Sequence, residues 1–241
     1  MHFSKPMNLK TLLPLGALAL WMTLHPASRA QNTPMPFVRL ADLRIDPAQL
    51  DTFKAAALRH AEATMRDERG ALALHAIAEK GRPENIRVFE MYVDAAAYKA
   101  HLRTPHFRQF RASTEAITTS KALFDTVPVL LGAKPSLPPD PVVRTADLEI
   151  DPAQLDAYKA AVSEEIEASI RIEPGVGAIY AVALKDVPHH IRFIEIYADE
   201  NAYLRHRETP HFRKYLEVTQ PMITGRKLVE ATPLVIATQP R

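Results

Sequence analysis

The sequence predicts an α+β chain in which one βαββαβ unit is built twice in tandem. Three observations carry this. The segment Val38-Arg-Leu-Ala-Asp-Leu-Arg-Ile-Asp46-Pro-Ala-Gln-Leu-Asp51 returns as Val143-Arg-Thr-Ala-Asp-Leu-Glu-Ile-Asp151-Pro-Ala-Gln-Leu-Asp156, an offset of 105 residues (143 − 38). The pairs Gly70/Gly175, Lys80/Lys185, Pro83/Pro188, Glu90/Glu195 and Pro128/Pro233 keep that offset, so no insertion separates the copies. A period this long marks a duplicated domain, not a solenoid repeat. Within each copy, strand-period and helix-period segments follow the order β-α-β-β-α-β. That is the order of a ferredoxin-like plait, with helices on one face of an antiparallel sheet.

Taken in order, the first strand runs from Val38 to Ile45, and from Val143 to Ile150 in the second copy. Asp46 then caps a helix, with Pro47 in its first turn and Gln49 placed to close a capping box; Asp151, Pro152 and Gln154 repeat this. The second helix presents Leu155, Tyr158, Val162, Ile166 and Ile170 at helical spacing. Its counterpart has Leu50, Phe53, Ala57, Ala61 and Met65, a stripe thinned by two alanines. This implies either a helix drawn closer to the sheet or a larger pocket in copy one. The second strand is Ala71 to Glu79. A turn around Arg82-Pro83-Glu84-Asn85 leads to the third, Ile86 to Val93. A helix capped by Asp94 and another opened by Thr104-Pro105 precede the last strand, Lys121 to Leu131. Pro221 stands where copy one has Ala116, so the last helix of copy two is expected to kink or stop there. The domains are thus 38–131 and 143–236. They are joined by a linker, 132–142, whose stretch Gly132–Pro141 holds four prolines and favours an extended spacer.

The first thirty residues read differently. A basic start with Lys5 and Lys10, an apolar run from Leu12 to Met22, and Ser28-Arg-Ala30 describe a secretory signal peptide cleaved after Ala30. The run is short for a membrane span. Export implies a periplasmic or secreted protein, without a membrane attachment once the segment is removed. The segment carries Lys5, Lys10 and Arg29 and no acid, so the remaining chain has a net charge of +2 − 3 = −1. The sequence therefore offers no basic surface to argue for nucleic-acid binding. The chain has no Cys, so no disulfide supports an exported fold.

Chemistry concentrates in a second repeated segment. Tyr98-Lys-Ala-His101-Leu-Arg-Thr104-Pro105-His106-Phe107 returns as Tyr203-Leu-Arg-His206-Arg-Glu-Thr209-Pro210-His211-Phe212. Thr104 suits the cap and Pro105 the first helical position, which puts His106 in the first turn; His211 repeats it. The positive end of the helix dipole disfavours an imidazolium there, leaving a neutral ring as proton acceptor. His101 lies three residues from Tyr98 on one helical face, as His206 does from Tyr203. On the third strand Glu90 alternates with Val88 and Tyr92, and Glu195 with Phe193 and Tyr197, so each acid shares an apolar face with a tyrosine. Such an acid needs a partner. A histidine from the covering helix is one candidate, and Arg39 or Arg44 is the other. No His pair has zinc-site spacing and the chain has only seven Gly, so neither a metal nor a nucleotide cofactor is expected.

The Asp-Pro-Ala-Gln-Leu-Asp segment, the Glu-x-Tyr strand and Tyr-x-x-His-x-x-Thr-Pro-His-Phe together resemble the antibiotic biosynthesis monooxygenase (ABM) superfamily, in particular its quinol-monooxygenase-like members. The resemblance covers nearly all of 38–131 and 143–236. It implies two domains whose sheets meet in a dimeric α/β barrel, here as an intrachain pseudo-dimer that could assemble further into homo-oligomers. It also implies oxygenation of small phenolic or quinol-type aromatics by O₂ without flavin, haem or metal. His101 and His106 would be candidate bases, Glu90 would orient one imidazole, and Tyr92 or Tyr98 would hold the substrate. The equivalents are His206, His211, Glu195, Tyr197 and Tyr203. Two other readings fit the same residues: a non-catalytic pocket for a small hydrophobic ligand, and an isomerase that shuttles protons between His and Glu.

Overall fold

The computed structural model describes residues 35–239, so the expected signal peptide lies outside the described residues. The first copy runs β1 (Phe37–Ile45), α1 (Leu50–Asp67), β2 (Ala71–Glu79), β3 (Arg82–Tyr92), α2 (Ala95–His101), α3 (Pro105–Thr114) and β4 (Thr118–Ala133). The second runs β5 (Val142–Ile150), α4 (Leu155–Ile172), β6 (Val176–Leu184), β7 (His190–Tyr197), α5 (Glu200–Glu208), α6 (Pro210–Thr219) and β8 (Ile223–Thr238). The tandem βαββαβ architecture is therefore present.

The eight strands close into one barrel in the order β1-β3-β2-β8-β5-β7-β6-β4. Closure depends on the last strand of each copy, which is long enough to serve two sheets. β4 pairs with β1 from Thr118 to Asp125 and then, from Thr126 to Ala133, with β6 of the other copy. β8 does the same with β5 and then β2. The two copies thus form an intrachain pseudo-dimer, and closure leaves no exposed sheet edge. Among the described residues no helix is long and apolar enough to cross a membrane.

Strand alternation divides the side chains into two sets. One set fills the barrel interior, where Leu40, Phe89, Tyr180 and Ile194 of both copies share a core. Arg87 there bonds Asp42 at 2.8 Å and Asp147 at 2.6 Å, and Arg192 bonds Asp42 at 2.8 Å. Asp42 and Asp147 are repeat equivalents, as are Arg87 and Arg192, so the charges compensate across the pseudo-twofold. The other set faces outward under the helices and makes a separate core for each copy. Glu90, Tyr92, Glu195 and Tyr197 belong to this helix-covered face.

Local details correct two expectations and decide two others. Asp46 accepts from Ala48 N at 2.9 Å and opens a 3₁₀ turn, Pro47–Gln49. Gln49 precedes α1 without a side-chain bond to its backbone, so no capping box forms. The β2–β3 turn is Lys80-Gly81, with Gly81 at φ +85°, and Pro83 lies inside β3. Pro83 is tolerated because β1 pairs with β3 only from Asn85 onward. α6 ends at Thr219, but α3 ends at the equivalent Thr114, so Pro221 fits a break that both copies have. Finally, the alanine-thinned stripe lies close against the sheet: Ala57 and Ala61 are 3% and 1% exposed and pack with Val235, Leu234 and Ala237 of β8. In the other copy the bulkier Ile166 and Ile170 meet Gly132 of β4, the equivalent of Ala237.

Candidate functional site

The two Thr-Pro-His-Phe turns adopt the expected caps. Thr104 Oγ1 accepts from Phe107 N at 3.2 Å and Thr209 Oγ1 from Phe212 N at 3.3 Å. This fixes His106 and His211 in the first turns of α3 and α6. His101 and His206 end up almost fully buried at the ends of α2 and α5. In each copy one carboxylate joins the two rings. His101 Nδ1 donates to Glu68 Oε1 at 2.8 Å, and His106 Nε2 donates to the same oxygen at 2.6 Å. Glu173 Oε1 accepts from His206 Nδ1 at 3.0 Å and from His211 Nε2 at 2.6 Å.

The carboxylate that holds the imidazoles is therefore Glu68, where the sequence pointed to Glu90. Glu68 and Glu173 immediately follow α1 and α4, in short connections to β2 and β6 that carry no local motif. Their only mark in the sequence is that both copies have Glu at the same offset. Arg39, the other candidate partner for Glu90, instead forms an ion pair with Asp125. Glu90 has no hydrogen bond of its own, and burial pushes its carboxyl up to about 7 against the pull of Arg39 and Lys121. Glu195 is also raised by burial, against the hydrogen bond that Tyr197 Oη donates to it at 2.8 Å.

A second site residue went unread. His60 of α1 and its repeat equivalent Glu165 of α4 both point into the cluster and are 4% and 5% exposed. His60 stacks on Phe110, with ring centroids 4.6 Å apart, and sits 5.1 Å from the His101 ring. Glu165 accepts from Ser169 Oγ at 2.6 Å and lies 3.8 Å from His206 Nε2. The helical stripe from Leu50 to Met65 stepped past His60. The buried face is broader and includes Phe53, Ala56, His60 and Thr64.

This one exchange gives the two clusters opposite electrostatics. His101 is held below the ordinary imidazole value, because burial and the neighbouring His106 outweigh its bond to Glu68. His60 is pushed down to about 3, chiefly by burial and further by His101 and His106. In copy two, burial also opposes charge on His206. There it is outweighed by the bond from Glu173 and the fields of Glu165, Glu173 and Glu195, and His206 is raised. Copy one therefore disfavours charge on His60 and His101, whereas copy two favours it on His206 among its carboxylates.

The open space differs as well. In copy two a mostly apolar cavity of about 90 Å³ lies between sheet and helices, lined by Val162, Glu165, Phe193, Glu195, His206, Phe212, Tyr215 and Arg226 among others. A neighbouring recess of about 50 Å³ brings His211 to the other side of Glu165 and Tyr215. Tyr215 Oη is 2.8 Å from Tyr158 Oη. Tyr197 and Tyr203, expected to hold a ligand, do not line this cavity. Tyr197 is buried behind it, and Tyr203 lies under Arg144 at 4.5 Å. Tyr92 is likewise buried, and Tyr98 stacks on Phe37 at 5.0 Å. In copy one a cleft of about 520 Å³ opens between α1 and α3 over His60, Glu68, His106 and Phe110.

Comparisons with known proteins agree with this architecture. The family model described as "Antibiotic biosynthesis monooxygenase" matches twice, over residues 36–113 and 141–218. A crystal structure from Lactobacillus acidophilus, assigned to the monooxygenases, superposes with a TM-score of 0.82 at 24% identity, covering 86% of this chain and 97% of the other. One from Fusobacterium nucleatum, assigned in the same way, gives 0.77 at 21% identity, covering 85% and 95%. Both likenesses concern the fold. A Bacteroides thetaiotaomicron chain assigned to antibiotic biosynthesis monooxygenases is 50% identical over 40% of this chain and 91% of its own, with a TM-score of 0.39. Among curated proteins no relative matches.

Proposed function

The chain belongs to the antibiotic biosynthesis monooxygenase family, and from that premise we propose that it oxygenates small phenolic or quinol-type aromatic compounds with O₂, without a redox cofactor at the reacting pocket. In this reading it acts after export, in the periplasm or outside the cell. The observation that carries the chemistry is the copy-two cavity, where Glu195 and His206 face one apolar space. Glu195, whose carboxyl is raised by burial and so holds a proton more readily than an exposed carboxylate, is the base. It takes the phenolic proton. His206, held by Glu173 through Nδ1 and favoured in its charged form, offers Nε2–H to the phenolate oxygen and stabilises it electrostatically. Phe193, Phe212 and Tyr215 enclose the ring. The ring anion then reduces O₂ at a ring C–H carbon conjugated with the phenolate oxygen: one oxygen atom becomes a carbonyl there, the other leaves as water with the C–H hydrogen and the former phenolic proton, and the four electrons come from the ring, which becomes a quinone.

His211 shares the Glu173 oxygen and keeps that carboxylate aimed at His206. Oxygen uptake with a panel of hydroquinones and anthrones tests the reading. Wild-type uptake is expected to exceed that of Glu195→Gln and His206→Gln by about 100-fold. Uptake no greater than that of a His106→Ala/His211→Ala double variant rejects it, and turnover under strict anaerobiosis would point to proton shuttling alone.

A further inference from the structure

The copy-one cluster holds two buried imidazoles and a half-buried carboxylate that the proposed oxygenation does not use. His60 on α1, Glu90 on β3 and His101 on α2 each place one ligating atom within 4.8 Å of the other two. We infer that His60, Glu90 and His101 form a binding site for one divalent first-row metal ion, in copy one only.

Four observations support this. The first is unmet hydrogen-bonding capacity. Both nitrogens of His60 and Nε2 of His101 are buried without a partner. Unpaired buried nitrogen is costly, and a metal ion bonded through one ring lone pair of each histidine removes that cost at His101 Nε2 and at one of the two His60 nitrogens. The second is the tautomer. His101 Nδ1 donates to Glu68 at 2.8 Å, which leaves Nε2 as the bare lone pair. A carboxylate behind a ligating imidazole is the arrangement that orients metal-bound histidines. The third is donor chemistry: two neutral imidazoles and one carboxylate suit Zn²⁺, Fe²⁺ or Co²⁺. The fourth is access, since the cleft between α1 and α3 reaches His60 from solvent.

The ligands come from three elements, so no short spacing in the sequence marks them. A bound ion with 2.0 Å bonds would draw the donor atoms to about 3.3 Å apart, and Glu90, which has no bond of its own, is free to make that adjustment. The sets around Glu68 and in copy two are poorer candidates. Glu68 is already hydrogen-bonded to both His101 and His106. In copy two the imidazole of His60 is replaced by Glu165, and both Glu165 and Glu195 are satisfied, by Ser169 and Tyr197.

The test uses the full chain after chelator treatment, titrated calorimetrically with Zn²⁺ and followed by visible absorption with Co²⁺. One ion per chain is expected. Glu90→Gln and His60→Gln should each weaken Zn²⁺ binding at least tenfold, and Glu68→Gln by about 10-fold or more through loss of orientation. His211→Gln should leave it unchanged. Circular dichroism identifies any variant that fails to fold, and Glu90→Gln carries the result if His60→Gln does. No binding, binding that survives both Glu90→Gln and His60→Gln, or binding lost in His211→Gln overturns the inference. None of these outcomes depends on oxygen uptake.

Discussion

His106 Nε2 lies 2.6 Å from Glu68 Oε1, and 105 residues later His211 Nε2 lies 2.6 Å from Glu173 Oε1. In each copy the same oxygen also receives the Nδ1–H of the preceding helix's histidine, so one carboxylate fixes two rings from different helices. Glu173 itself is held below the ordinary carboxyl value. Burial would raise it, but the bonds from His206 and His211 outweigh that effect. Replacing Glu173 by Gln removes the charge and one acceptor while keeping the shape. The expected result is a loss of about 1–3 kcal/mol in stability, read by chemical denaturation, because two buried ring donors lose a strong partner. Unchanged stability would mean that the bridge is incidental.

The exchange of His60 for Glu165 is expected to set the charge of the neighbouring histidine. Glu165→Gln should lower the His206 pKa, and His60→Glu should raise that of His101, each read from imidazole proton shifts. The sign for stability follows. His206 is raised in the folded state, so its contribution is fully present below the unfolded value of about 6.5 and is lost as pH rises through the folded value. Wild type should therefore lose more stability than Glu165→Gln between pH 6.5 and the folded His206 pKa. Parallel curves would show that Glu165 does not govern His206.

The sequence revealed these features unevenly, for physical reasons. The barrel halves were legible because a gapless repeat carries its caps with it: Asp94, Thr104 and Thr209 accept the backbone bonds expected of them, and Asp199 does what its counterpart Asp94 does. The hairpin turn was misplaced because Pro83 looks like a turn residue, whereas it sits where β1 has not yet begun to pair with β3. Glu68 lies just past a helix end, in no periodic pattern, and its partners are 33 and 38 residues away. His60 resembles an exposed polar residue until the full width of the buried helix face is drawn. In each case the missing information was tertiary.

His75 and its repeat equivalent Tyr180 stack on each other inside the barrel at 5.8 Å, and Phe89 stacks on both. His75 is fully buried, and burial pushes its pKa down to about 4. An unfolded chain takes up a proton at this position near pH 6.5, whereas the folded chain does not until about pH 4. Stability from this residue is therefore present above 6.5 and is lost as pH falls from there to about 4, a change of about 3 kcal/mol. His75→Phe preserves an aromatic ring in the stack and removes the titration. Its stability should fall less steeply than wild type over that window in denaturant melts. Equal slopes would place the acid sensitivity elsewhere.

The swapped strand β4 packs against α4 through a close approach at Gly132. A Cβ at this position would come within 2.6 Å of Ile166 Cγ2 and 2.8 Å of Ile170 Cγ1. The equivalent strand position in β8 is Ala237, which packs in the core that holds Ala61, so each copy matches a smaller residue on one partner to the side chain opposite it. Gly132→Ala should overpack the β4–α4 contact and cost about 1–3 kcal/mol. Ile166→Ala alone should cost about 2–5 kcal/mol through the cavity it leaves. The double variant reproduces the alanine-on-alanine arrangement of the other copy, so its cost should fall below the sum of the two by more than about 0.5 kcal/mol. Strict additivity in that cycle would show that Gly132 and Ile166 do not compensate each other, and that the swapped strand is held by its backbone pairing with β6 alone.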